Sequence, residues 1–117
     1  YKATGFLHWG YNFYYSQDSK LVLNPYHETD AHGAFPSGDA FSVYPDTSGP
    51  IPAIRLLVFN EALQDIRALK LLEERVGYDA VISLIEEALG DEITFYKCFD
   101  SGALLNMRKI VNEQISK

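Results

Sequence analysis

The spacing of apolar positions changes partway along the chain. Over residues 4–9 (TGFLHW) and again over 40–44 (AFSVY) they run almost without interruption. Short apolar runs bounded by turn residues read as buried strands. From Ile54 the period lengthens. Ile54, Leu57, Val58, Ala62, Ile66, Leu69 and Leu72 recur every three or four residues, a wide stripe on one long helix. Prolines at 50 and 52 push the residues before them out of helical geometry, so this helix starts at or after Pro52. It runs to Val76, with Gly77 as its stop. A second helix is predicted over 79–89, with Asp79 as N-cap and Gly90 as its end. A third covers 101–115, with Leu104, Leu105, Arg108, Val111 and Ile115 on related faces. Residues 16–37 are rich in turn signals and hold no helix of normal length, although Leu21–Leu23 has room for a short edge strand. The aromatic run 11–15 (YNFYY) is compatible with an extended chain or a turn.

Two short strands do not make a stable sheet alone. Near-continuous apolar strands suit a parallel sheet covered on both faces, and the segment between them is long enough for a parallel crossover. Strand, loop and long helix form the repeating unit of a (β/α)₈ barrel, which needs about 250 residues in full. The expected fold class is therefore α/β. The chain would be the C-terminal fragment of such a barrel, its last two strands and final helix in residues 1–76, followed by a helical C-terminal extension in 77–117. The first residue, Tyr1, is neither an initiator Met nor the start of a signal peptide, which reads as a processed product or an excised piece. A fragment of this kind is expected to self-associate when isolated, because its strand edges and the barrel-facing side of its helix lack partners.

Composition narrows the function. The formal net charge is −6, which argues against nucleic acid or an anionic membrane as partner. No apolar stretch nears the roughly 20 residues that span a bilayer. The single Cys98 rules out a disulfide framework and leaves both a cytoplasmic and a secreted compartment open. His27, Glu28 and His32 resemble a zinc motif only loosely. The second His falls one place beyond the i, i+4 spacing that one helix face requires, and it lies in a loop. No metal or cofactor is expected.

Three segments then carry a resemblance: GFLHWGYN (5–12), FPSGDAFSVYP (35–45) and IRLLVFNEALQDIRALKLLE (54–73). Together they resemble the C-terminal part of glycoside hydrolase family 123-like proteins. The shared pattern falls on Trp9, Tyr11, Asn12, Gly38, Asp39, Val43, Tyr44, Pro45, Ile54, Arg55, Glu61, Gln64 and Asp65. Ala62 and Ile66 depart from it, at helix positions where Gly and Tyr are usual.

The resemblance implies a barrel enzyme similar to β-N-acetylhexosaminidases. In these the substrate's own acetamido group is the nucleophile, outside the usual two-carboxylate scheme. It also implies an Asp-Glu pair on an earlier barrel strand, upstream of this segment, so the chain alone is expected to be inactive. Asp91-Glu92 is such a dipeptide, but it follows a helix stop and reads as a solvated turn. The residues expected to hold the sugar are Trp9, Tyr11, Asn12, Tyr44 and Arg55, with an N-acetylhexosamine-containing glycan and the remainder of the parent barrel as partners. An indole stacks on the apolar face of a pyranose, Asn and Tyr meet its hydroxyls, and Arg55 orients a carboxylate. Core packing, a bonded strand end and a structural ion pair are the plain readings of the same residues. Asp39 precedes its strand and is expected at the opposite, stability face. Glu61 and Asp65 are expected to bond helix to barrel or to face water. A non-catalytic carbohydrate-binding or structural interaction domain is the alternative to the enzyme fragment.

Overall fold

A computed structural model describes residues 1–94 and 96–117. It is a mixed helical and β structure, consistent with the α/β class: β1 (Val43–Tyr44), β2 (Ile51–Pro52), α1 (Ile54–Val76), α2 (Tyr78–Leu89) and α3 (Ser101–Ile115). The chain divides into two compact units, residues 3–61 and residues 62–117 together with Tyr1 and Lys2. Helix α1 contributes its first eight residues to one and the rest to the other.

The helices lie where the period placed them. Pro52 closes β2, and the Ala53 carbonyl accepts the first α1 amide bond, from Leu56, at 3.0 Å. Gly77 ends α1 and opens α2 at φ 86°, a backbone region that suits a residue without Cβ. Gly77 is thus the N-cap of α2, and Asp79 lies in the first turn. A carboxylate there still favours the positive end of the helix dipole. Asp100 caps α3, its carboxylate accepting from the amides of Gly102 (2.7 Å) and Ala103 (3.0 Å).

The helical unit has a continuous apolar core. Leu69 and Leu72 from α1, Val81 and Ile85 from α2, and Met107 and Val111 from α3 are all buried, with Tyr1, Ala68 and Ile115 against them. The buried stripe of α3 keeps the predicted Val111 and Ile115 but differs in its first turns. Leu104 and Leu105 are exposed, and Met107, absent from the predicted face, is inside. Asp65 is partly buried and bonded within the helical unit. It holds Arg108 of α3 through two parallel bonds of 2.7 and 2.8 Å. Cys98 is exposed in the connection between α2 and α3. Among the described residues no helix is long and apolar enough to cross a membrane.

Residues 3–61 are organised differently. The segment 11–15 stays extended and is bridged on both sides, Asn12 to Phe41 and Tyr15 to Val22, both antiparallel. Amide bonds from Phe13 to Ala40 (2.7 Å), Ser42 to Tyr11 (3.0 Å) and Leu23 to Tyr14 (2.9 Å) join the three strands of chain. Strand β1 pairs antiparallel with β2, Val43 opposite Pro52. Ala31, Ala40, Phe41, Val43 and Ala53 are buried.

The predicted strand over 4–9 does not form. A strand apolar on both sides needs a ladder partner and two covered faces. Among the described residues this segment pairs with no strand, and Leu7 is 94% exposed. The predicted strand over 40–44 shortens to β1, preceded by the bridge at Phe41. The predicted stripe of α1 is also split. Its far end, Leu69 and Leu72, is buried, whereas Ile54, Leu57 and Val58 are exposed.

Candidate sugar-binding site

A cleft of about 470 Å³ opens within residues 3–61. Phe6, Leu7, Phe41 and Phe59 give it apolar walls, and Tyr11, His8, Asp39 and Arg55 place polar groups in them. A mostly apolar concavity with a few fixed polar groups is the usual form of a small-ligand site.

Asp39 is the centre of its electrostatics. The indole N–H of Trp9 donates to Asp39 Oδ2 at 3.0 Å, and His8 Nε2 lies 3.5 Å from Oδ1. The Trp9 bond holds the Asp39 carboxyl below its usual range. Partial burial opposes this, and His8 and Arg55 reinforce it. Asp39 is therefore an ionised acceptor at neutral pH. His8 Nδ1 meets the Gly10 carbonyl, an acceptor only, so this nitrogen carries a proton.

This places Asp39 at the cleft and not at an opposite face. The chain bends on either side of Gly10, and the His8–Gly10 contact closes the bend, which brings His8 and Trp9 back to Asp39. Pattern reasoning misses such a bend, because strand periodicity places side chains only along a straight run. The GlyAsp dipeptide before the strand was the available signal, and nothing in the sequence singled out His8.

The five predicted residues all lie in this unit, in different roles. Trp9 lies beside the cleft and is not among its lining residues; it is 53% exposed, with its ring 5.1 Å from Phe35 and edge-on to Phe13. Tyr11 is exposed and lines the cleft, as does Arg55. Asn12 turns its side chain to the backbone, accepting from the amides of Ser42 (3.1 Å) and Val43 (3.3 Å). Tyr44 packs against Tyr26 and Phe41 with ring centroids 5.2 and 5.0 Å away, and is not among the lining residues. Arg55 sits over the Phe41 ring at 5.4 Å. It abuts Gly38, where φ is 81° and any Cβ would fall on the guanidinium.

Elsewhere, the loop with His27, Glu28 and His32 is internally bonded. Glu28 accepts from the His32 amide at 3.1 Å, and Asp30 from the Gly33 amide at 2.8 Å. Among the described residues no three His, Cys, Asp or Glu side chains are grouped to hold a metal. Asp91, in the other unit, is exposed and paired with Lys97 at 2.6 Å, and this bond lowers its pKa.

Residues 1–72 match the family model for glycoside hydrolase 123, catalytic domain. The match covers more than half of the 117 residues, and the chain belongs to glycoside hydrolase family 123. Its substrate class is carbohydrate. No curated protein matches the chain.

Proposed function

We propose that the chain forms one sugar-facing wall of a (β/α)₈ glycoside hydrolase that cleaves N-acetylhexosaminides with the substrate's acetamido group as nucleophile. In this reading it is the C-terminal fragment of the barrel, with residues 4–9 and 40–44 as its last two strands and α1 as its final helix, and the missing strands would give residues 4–9 the partner they lack. The carrying observation is the Trp9–Asp39 pair at the edge of the cleft: Asp39 lines it as an ionised carboxylate, and a half-exposed indole is bonded to that carboxylate from beside it. The indole face meets the C–H face of a pyranose, and Asp39 accepts a hydroxyl proton.

The groups that do the chemistry lie outside this chain. Substrate-assisted cleavage needs one acid to orient the acetamido group and one to protonate the leaving oxygen. Asp39 is the only carboxylate among the described residues lining the cleft, and its lowered pKa makes it a poor proton donor. Leu7, Ile54, Leu57 and Val58 are exposed apolar side chains that the rest of the barrel would cover, and through which the isolated chain would self-associate.

Trp9 is the sole tryptophan and is bonded to the cleft residue Asp39, so its emission reports on the site through that bond. Titration with N-acetylglucosamine and N-acetylgalactosamine should change that emission saturably at millimolar sugar, and no response would sink the sugar reading. Aryl N-acetylhexosaminides should not be turned over by the chain alone. Measurable hydrolysis would show that the catalytic acids are within it.

A further inference from the structure

We infer that Arg55 makes this cleft selective for sugars bearing an anionic oxygen substituent, a uronic carboxylate or a sulfate ester. The inference rests on the sugar reading above and names the substrate class of the same site.

The guanidinium is held in place without being neutralised. It lies over the buried Phe41 ring and against Gly38. Gly38 is itself buried and fixed by its amide bond to the Thr29 carbonyl at 2.5 Å. Among the described residues Arg55 has no carboxylate within ion-pair distance and donates no hydrogen bond. The one acid at the cleft, Asp39, already meets Trp9 through one oxygen and His8 through the other. Arg55 influences Asp39 only through space.

A cation stacked on an aromatic ring presents its planar fork of N–H donors in a fixed orientation. Carboxylate and sulfate oxygens match that fork in pairs, and a neutral hydroxyl does not. Phe6, Leu7 and Phe59 line the rest of the cleft with apolar side chains and set no carboxylate against the guanidinium. The glycine at position 38 fits the same purpose, since any larger residue would occupy the guanidinium's place.

The test is a Trp9 fluorescence titration of the full chain at low salt. The ligands are N-acetylglucosamine, its 6-sulfate, and glucuronic acid beside neutral glucose. One or both anionic sugars should bind about tenfold tighter than their neutral counterparts. The member of the pair that shows the preference identifies the substituent. Arg55→Met should bring the anionic-to-neutral affinity ratio close to one, and Arg55→Lys should leave part of it. If Arg55→Met does not fold, raising salt to about 0.5 M should compress the ratio in the native chain. Equal affinities, or a preference that survives both Arg55→Met and salt, overturns the inference and leaves the sugar reading standing. Silence with every sugar removes both.

Discussion

The two compact units reach order by different means. In residues 62–117 three helices meet in one apolar cluster, and side chains such as Leu72 and Val81 lose nearly all contact with water. In residues 3–61 regular structure is sparse. The chain is held by paired amides, by Tyr14 and Tyr26 hydroxyls on the carbonyls of Val43 (2.5 Å) and Pro45 (2.7 Å), and by contacting aromatic rings. The first unit is built by burial and the second by directed bonds. The second also carries the cleft, the ionised Asp39 and the exposed Trp9. Binding groups are disproportionately placed on irregular segments, because regular elements turn their best side chains inward.

The contrast can be broken experimentally, and the largest effect is expected in the helical core. Leu72→Ala should lower unfolding free energy by about 3 kcal/mol, through lost transfer energy and a residual cavity. Denaturant unfolding followed by circular dichroism checks this, and a loss below about 1 kcal/mol would mean the core is loosely packed. Next is Gly38→Ala in the other unit. Its positive φ alone costs on the order of 1–2 kcal/mol, and the new Cβ displaces Arg55. Thermal unfolding followed by Trp9 emission should show the drop, and unchanged stability would contradict the close approach. Asp100→Ala removes the cap of α3 and should cost about 1 kcal/mol, recovered in large part by Asp100→Asn. The smallest effect is the acid response at Trp9. Because the Asp39 pKa is lowered on folding, the stabilisation is present above the ordinary carboxylate range of about pH 4 and fades as pH falls below it. Emission measured against pH should show this acid limb in the native chain, and Asp39→Asn should lack it.

The helices were readable in advance because their signals are local. A 3.6-residue period and Gly77 and Gly90 at the stops act within a turn or two of chain. What failed depended on distant residues. Whether 4–9 forms a strand depends on a partner that no local pattern names. Leu104, Leu105 and Met107 are all apolar, and only the position of the other helices selects Met107 for the interior. The site was half legible for the same reason. Of the residues lining the cleft, Tyr11 and Arg55 stood out by type and position, whereas the bend that joins His8 and Trp9 to Asp39 arises from the folded loop.

The Asn12 side chain, which ties the amides of Ser42 and Val43, has a consequence for the order of events in folding. Asn12 and Ser42 are 30 residues apart, and closing a loop of that length costs on the order of 3 kcal/mol before any contact compensates. The amide bonds within α1, α2 and α3 each join residues only four apart. Helicity should thus recover first after dilution from denaturant, and Trp9 emission later, as the non-local clasp closes.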